Sequence, residues 1–275
     1  MSPFRASAGF TSDWRHFTFE IADGVATVTL DRPDKLNALT FESYADLRDL
    51  FREVPHRDDV RVVVLTGRGK GFCSGGDVHE IIGRLLELDA KGLLEFTRMT
   101  GSVVQAMRDC PQPIIAAVNG IAAGAGSVLA LASDLRVVAR SARFAFLFTK
   151  VGLAGADMGS AYLLPRLVGL GRATELLLLG DTIDAETADR YGLVTRLVDD
   201  GELAAATSEL ARRVADGPAL AYANTKVLLS RELDLDLAGA LELEAQTQAL
   251  LMTSHDHREF HAAFTEKREP RWEGR

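Results

Sequence analysis

The stretch from Pro113 to Ala132 constrains the fold of this chain more than any other part of the sequence. The apolar residues 113–118 lead into a small-residue segment at 119–128, and a further apolar run ends at Ala132. This order predicts a buried strand, a tight turn and a buried helix. The first amides of such a helix can stabilise negative charge, including charge that develops only during a reaction. Because the turn carries no acid or base beyond the hydroxyl of Ser127, a proton-transferring group must come from elsewhere.

Length and charge limit the classes of partner. The chain has 275 residues, 47% of them hydrophobic, which is enough for one sizeable core with an appendage. A net charge of -8 argues against nucleic acid and against an anionic membrane surface, although local cations and amides can still hold a small anion. The two cysteines, Cys73 and Cys110, are expected to be free thiols. We therefore expect a soluble cytoplasmic protein.

Strand-like and helix-like segments alternate over most of the chain, which predicts an α/β fold with right-handed βαβ units. A hairpin is predicted around Asp23-Gly24, a helix capped by Thr40 and Ser43, an amphipathic helix from Val78 to about Cys110 and a strand-like segment at 144–148. By region, we expect a flexible arm at 1–14, a core at 15–200 and a helical segment at 201–275. That last segment is too thin to own a core, so it should pack on the body or on a neighbouring subunit.

A second glycine-rich loop, at 71–78, also follows a strand and opens a helix, with Asp77 at the helix start. Two such loops on neighbouring parallel strands would aim two backbone amides at one point, which is the arrangement of an oxyanion hole. A dinucleotide fingerprint is excluded, because Leu129 stands where Gly124-Ala125-Gly126 would need its third glycine. No metal site is expected, and the three histidines between 255 and 261 are interpreted as solvated helix residues.

These loops belong to a longer series of motifs in a fixed order. The series is Leu30-Asp31-Arg32-Pro33, Asn37-Ala38-Leu39, the 71–77 loop, Ala117-Val118-Asn119-Gly120, Gly124-Ala125-Gly126, Ser133-Asp134, Leu164-Pro165-Arg166, Gly192-Leu193-Val194 and Lys267-Arg268-Glu269-Pro270. Over about residues 15 to 273 the chain resembles the crotonase (enoyl-CoA hydratase/isomerase) superfamily. The resemblance implies a ββα spiral core with a helical C-terminal trimerisation region and assembly as homotrimers or dimers of trimers. It also implies an acyl-CoA thioester as substrate, with coenzyme A as part of that substrate and no separate cofactor.

The resemblance assigns roles to individual positions. It places the oxyanion-hole amides on Gly76 and Ala125, and it implies that much of the coenzyme A contact is made by main chain. The two glutamates of the hydratase pattern would fall on Val128 and Phe148, neither of which can move a proton. The substrate-binding positions implied in this way are Lys35, Asn37, Ser74, Gly75, Asp77, Val78, His79, Gly124, Val128 and Phe148.

One acid remains in the right region, at Asp157. The segment 152–160 resembles the aspartate-containing turn of family members that isomerise enoyl- or dienoyl-CoA and of aryl-CoA dehalogenases, although the common version of that turn is one residue shorter. Asp157 would then be the acid/base, with a pKa raised by apolar surroundings. Alternatively, it caps a helix that begins near Met158. His79 and Glu80 are backup candidates, and Phe144, Phe146 and Phe148 form either an apolar wall of the site or an ordinary buried strand edge.

Three functions follow as hypotheses. The first is isomerisation of an enoyl- or dienoyl-CoA double bond by a two-amide oxyanion hole at Gly76 and Ala125 with Asp157 as the single acid/base. The second is an enoyl-CoA hydratase or an acyl-CoA hydrolase, in which Asp157 positions a water with another group. The third is a catalytically lapsed acyl-CoA-binding protein.

Overall fold

A six-stranded sheet forms the first layer of the structure, a computed structural model that describes residues 13–275. Residues 1–12, and with them most of the arm expected at 1–14, lie outside the described residues. The predicted hairpin forms at Asp23-Gly24, where both residues take positive φ as a tight two-residue turn requires. The strand order is β1-β2-β3-β5-β7-β10, and every pair except the hairpin is parallel. These strands are β1 (Phe17–Ala22), β2 (Val25–Leu30), β3 (Val62–Gly67), β5 (Ile114–Val118), β7 (Leu135–Ala139) and β10 (Arg196–Val198).

A second, four-stranded sheet lies beside the first, in the order β4-β6-β8-β9. Each of the strands β3, β5 and β7 is followed, two or three residues later, by a strand of this second sheet. Helical structure comes after that strand, so a ββα unit repeats along the chain. The ββα spiral expected from the resemblance is thereby confirmed. The strands are β4 (Gly71–Cys73), β6 (Ile121–Ala123), β8 (Arg143–Ala145) and β9 (Thr182–Asp184), with β9 antiparallel to β8.

Three local predictions are corrected by this arrangement. Residues 121–123 are not part of a turn but form β6, because the chain crosses from one sheet to the other before it turns at Gly124. The strand expected at 144–148 ends at Ala145, and Phe148 leads into a short 3-10 helix at Thr149–Val151. The helix expected from Val78 to Cys110 is interrupted, because the Asp89 side chain accepts a hydrogen bond from the Gly92 amide at 2.8 Å and starts a new helix.

Helices cover both faces of the six-stranded sheet. The capping of α1 predicted for Thr40 and Ser43 is confirmed, and it takes the form of a capping box, since the two residues exchange side-chain-to-amide hydrogen bonds at 3.2 and 2.9 Å. The helices are α1 (Phe41–Glu53), α2 (Gly83–Leu85), α3 (Ala90–Asp109), α4 (Ala125–Ala132), α5 (Ser160–Val168), α6 (Leu170–Leu179), α7 (Ala185–Arg190), α8 (Leu203–Ala215), α9 (Ala219–Arg231), α10 (Leu237–Leu251) and α11 (His255–Glu266), and a single π-helical turn, Val78–Ile82, precedes α2.

The core is divided by the six-stranded sheet. Val63 and Leu65 of β3 face the larger cluster, which includes α1, α3 and α4, whereas Val62 and Val64 face a smaller cluster under α8. This alternation is the period-two pattern of a strand that is buried on both faces. The helical C-terminal segment therefore begins by packing on the outer face of the sheet. No helix within residues 13–275 is long and apolar enough to cross a membrane.

Candidate active site

The turn at Gly124 joins β6 to α4 and exposes the start of that helix. Gly124 has φ 51° and ψ -120°, a combination that only glycine adopts without strain. The N–H of Ala125, the first residue of α4, has no hydrogen-bond acceptor within residues 13–275. The N–H of Gly124, in contrast, donates to the carbonyl oxygen of Ala145. The buried hydroxyl of Ser127 contacts the carbonyl oxygens of Ala122 and Ala145, so its role is structural. The turn thus leaves the N–H of Ala125 available to an acceptor from outside residues 13–275.

The loop after β4 presents a second amide. Leu39 donates to the Gly75 carbonyl and accepts from the Asp77 amide, both at 2.8 Å, as in a parallel strand bridge. In such a ladder the N–H of the intervening residue, Gly76, points away from the partner strand. Gly75 has φ 98°, and a Cβ added to it would lie 2.9 Å from the Ala123 carbonyl oxygen and 3.6 Å from the Ala125 nitrogen. The two loops predicted to form the oxyanion hole are therefore in contact.

Glycine at position 126 makes that contact possible. A Cβ at Gly126 would lie 2.0 Å from the carbonyl oxygen of Cys73, the last residue of β4. Any side chain there would push the first turn of α4 away from β4. The small-residue segment recognised in the sequence thus sets the distance between the two amide-bearing loops.

Asp157 lies in the loop between the 3-10 helix at 149–151 and α5. Its half-buried carboxylate accepts one hydrogen bond, from the Met158 amide at 2.9 Å, and has no cationic partner within the described residues. Burial raises the pKa of this carboxyl above its ordinary value, and the Met158 amide offsets part of that rise. The alternative that Asp157 caps a helix is wrong, because α5 begins at Ser160 and Gly159 precedes it without a side-chain cap.

Tyr44 of α1 borders the Gly76 loop, and its spacing in the sequence predicted only a core position on a helix. Its side chain is 3% exposed, and its Oη lies 3.6 Å from the position that a Cβ would take on Gly76. Burial raises the pKa of Tyr44 well above its ordinary value, and the nearby Cys73 and Asp157 contribute to the rise. The Asp157 carboxylate is therefore within electrostatic range of a group that borders the Gly76 loop.

Some of the predicted substrate-binding side chains are hydrogen-bonded or ion-paired within the protein, and others are exposed to solvent. Asn37 uses its side chain internally, with bonds to Arg32, Arg68 and Gly71. Asp77 accepts from the amides of the following turn and pairs with the Arg32 guanidinium at 3.0 Å. These two side chains therefore shape the loops that carry the main-chain contacts.

The remaining predicted positions around the loops are partly open. Ser74 donates to the Lys35 carbonyl oxygen at 3.2 Å, and the side chains of Lys35, Val78 and His79 are exposed. Glu80, a backup candidate with His79, is hydrogen-bonded to Arg32 at 2.7 Å. The exposed side chains remain free to contact a ligand.

The hydratase glutamate positions are apolar and enclosed. Val128 is fully buried in α4, and Phe148 is 9% exposed. Phe144 and Phe146 are also buried and belong to the larger core cluster, and only Phe144 lies on a strand, β8. Within residues 13–275, no three side chains of His, Cys, Asp or Glu are grouped so that they could hold a metal ion.

Comparison with known proteins places the chain in one group of enzymes. Residues 20–275 match the family model described as enoyl-CoA hydratase/isomerase. The 1,2-epoxyphenylacetyl-CoA isomerase of Escherichia coli K12 is 37% identical over 260 residues, which cover 93% of this chain and 97% of that protein. A solved structure from Streptomyces coelicolor A3(2) is 65% identical over 100% of both chains, with a TM-score of 0.97. An enoyl-CoA hydratase of Bacillus anthracis is 32% identical, with a TM-score of 0.89 over 95% of this chain and 100% of that one.

Proposed function

This chain belongs to the enoyl-CoA hydratase/isomerase family, and we propose that it acts there as a double-bond isomerase of enoyl- or dienoyl-CoA thioesters. Its substrate is an acyl-CoA thioester, as in the family as a whole. Gly76 and Ala125 supply the two amides of the oxyanion hole, and Asp157 is the single acid/base.

The proposed reaction moves one proton between two carbons. The Asp157 carboxylate removes a proton from C2 of a 3-enoyl thioester. The electron pair of that C–H bond forms a C1=C2 double bond, and the pair of the carbonyl π bond moves onto oxygen to give a dienolate. The amides of Gly76 and Ala125 hold the charge on this oxygen, an interaction for which one donor is typically worth ~2.7–4 kcal/mol of the barrier. The protonated Asp157 then returns the proton to C4, which yields the 2-enoyl thioester without any co-reactant.

The observation that carries this proposal is the state of the Asp157 carboxylate. It has a raised pKa and no cationic partner within residues 13–275, and it lies in electrostatic range of Tyr44, whose hydroxyl borders the Gly76 loop. A carboxyl with a raised pKa is suited to both taking up and returning a proton. Hydration through the family's glutamate pair is disfavoured, because Val128 and Phe148 offer no carboxylate at those positions.

The test is proton exchange in heavy water with Asp157→Asn, a substitution that keeps the size and removes the acid/base. We expect the purified variant to bind a short 3-enoyl-CoA but to lose isomerisation and deuterium incorporation at C2 and C4 by roughly 10²–10⁴-fold. Glu80→Gln is the matched control, since it removes a carboxylate next to the same loop that is already hydrogen-bonded to Arg32. It should retain the exchange rate of the wild type.

Each alternative function has its own outcome. Unchanged exchange in Asp157→Asn would remove this residue from the mechanism. Release of a 3-hydroxyacyl-CoA or of free coenzyme A by the wild type would identify a hydratase or a hydrolase. Tight binding without exchange, hydration or hydrolysis would identify an acyl-CoA-binding protein that has lost its activity.

The assembly and location are proposed from the same chain. Helices α10 and α11 leave large apolar side chains exposed, among them Leu237 at 75% and Phe264 at 76%. Such faces are typical of subunit contacts, so we propose a homotrimer or a dimer of trimers, which sedimentation equilibrium would test. Cys73 and Cys110 are free and buried, which favours a cytoplasmic protein, and cell fractionation would test that location.

A further inference from the structure

The hydroxyl of Tyr44 is a buried polar group without a partner. The ring packs edge-on against Phe96, with centroids 6.1 Å apart and an interplanar angle of 87°. The residue is 3% exposed, and its Oη has no hydrogen bond to any of residues 13–275. It is not among the fully enclosed polar atoms that lack a partner, so its oxygen keeps some solvent-accessible surface.

A nearly buried hydroxyl keeps little of its hydration in the free protein. Within residues 13–275, no acceptor compensates for the hydration that the Tyr44 hydroxyl loses. A phenylalanine would fill the same space against Phe96 without the penalty. The position of the hydroxyl therefore favours an acceptor that arrives with the ligand.

The surroundings of Oη indicate which part of the ligand it meets. It lies 3.6 Å from the Cβ position of Gly76, whose amide is one of the two proposed oxyanion donors. Because burial, with Cys73 and Asp157 nearby, raises the pKa of Tyr44 well above its ordinary value, the phenol stays protonated at neutral pH and acts as a donor. A donor here faces the reacting end of an acyl thioester.

We propose that the Tyr44 hydroxyl donates a hydrogen bond to an oxygen atom of the bound acyl group, next to the Gly76 loop. The acceptor is either the thioester oxygen itself or an oxygen substituent near the reacting carbons. The proposal rests on the acyl-CoA site described above, but it does not depend on proton transfer by Asp157.

The experiment compares Tyr44→Phe with the wild type in binding two thioesters. The first probe, 2,4-hexadienoyl-CoA, carries only the thioester oxygen on its acyl group, and the second, acetoacetyl-CoA, adds an oxygen at C3. We expect Tyr44→Phe to bind at least one probe about tenfold more weakly, equivalent to about 1.4 kcal/mol. A loss with both probes assigns the thioester oxygen as acceptor, and a loss with acetoacetyl-CoA alone assigns the substituent.

Stability separates this role from a structural one. Since the hydroxyl has no partner in the free protein, Tyr44→Phe should unfold at the same temperature as the wild type or at a higher one. Tyr191→Phe is the matched control, because it removes a phenol hydroxyl from a ring that lies directly after α7 and packs against Arg172 of α6, and it should leave both affinities unchanged. Equal affinities of Tyr44→Phe and the wild type for both probes would overturn the proposal. So would a loss of affinity accompanied by a lower unfolding temperature.

The same measurements distinguish this proposal from the proposed function. If Asp157→Asn keeps its exchange rate, the isomerase mechanism fails while the binding result for Tyr44→Phe stands. If Asp157→Asn loses exchange and Tyr44→Phe binds both probes normally, the mechanism stands and the role of Tyr44 fails.

Discussion

The side chain of Asn37 fastens the loop that positions Gly76, and replacing it should destabilise the protein strongly. Its Oδ1 accepts from the Arg32 amide at 2.9 Å, and its Nδ2 donates to the carbonyl oxygens of Arg68 at 3.0 Å and Gly71 at 2.7 Å. Asn37 also has φ 58°, in the left-handed region that asparagine tolerates well. One residue thus provides three hydrogen bonds and an unusual backbone conformation.

The expected loss follows from these contacts. Each hydrogen bond contributes about 1 kcal/mol net, so Asn37→Gly, which keeps the backbone conformation accessible, should lower the free energy of unfolding by about 3 kcal/mol. Asn37→Ala adds the cost of a left-handed alanine, about 1 kcal/mol more, for a total of about 4 kcal/mol. Asn37→Asp keeps the bond to the Arg32 amide, but it turns a carboxylate oxygen towards the carbonyls of Arg68 and Gly71 and should lie between the wild type and alanine.

The assay is urea unfolding at one fixed protein concentration, combined with the rate of proton exchange on an acyl-CoA. Because the loop carries an oxyanion donor, exchange should fall in each variant under conditions where the protein is still folded. A loss of less than 1 kcal/mol in Asn37→Gly would refute the structural reading of this side chain. If Asn37→Gly unfolds at the same urea concentration as the wild type but binds coenzyme A more weakly, Asn37 would instead be a direct ligand contact.

Three further predictions concern the amide-bearing loops and the proposed acid/base. Gly126→Ala places a Cβ 2.0 Å from the Cys73 carbonyl oxygen, whereas ordinary contact begins near 3.4 Å. The start of α4 must therefore shift, and the turnover number should fall about 100-fold. Gly101→Ala, whose Cβ meets nothing within 4 Å, is the control that should retain activity. Since the pKa of Asp157 is raised, activity should fall on the acid side as pH drops through a value above the ordinary ~3.9 of an aspartate, and a rate profile that stays flat down to that value would contradict the assignment. The same shift makes the ionised carboxylate a destabilising group, so Asp157→Asn should raise the free energy of unfolding at neutral pH and lose this advantage below the unfolded pKa.

Local signals in the sequence were sufficient for much of the fold. The hairpin at Asp23-Gly24 and the capping of α1 by Thr40 and Ser43 depend on residues that are neighbours in the chain, and both form as predicted. The contact between the Gly76 and Ala125 loops followed from the rule that adjacent parallel strands end at the same edge. In each case the physical cause lies within a few residues or within one sheet.

The remaining features depend on contacts between distant segments. The chain enters a second sheet at residues 121–123 because these pair with 71–73 and 143–145, and an apolar run of three residues does not reveal its partners. The spacing of Tyr44 in the sequence is that of a core residue. That its hydroxyl borders the Gly76 loop depends on how α1 packs against that loop, which the sequence pattern does not reveal. The sequence around Asp157 is also compatible with a helix cap, because the sequence does not determine that α5 begins only at Ser160.

The two halves of the site differ in how they tolerate change. The proposed oxyanion half is built from backbone, and its geometry is held by glycines that admit no side chain, such as Gly126 against the Cys73 carbonyl. The proposed proton-transferring half depends on a side chain instead. The positions to which the resemblance assigns the hydratase glutamates are the buried Val128 and Phe148, while a carboxylate with a raised pKa lies in a separate loop at Asp157. Two backbone amides with a single carboxylate would support enolate chemistry without the paired carboxylates of the hydratase pattern, which is why proton exchange is the decisive measurement.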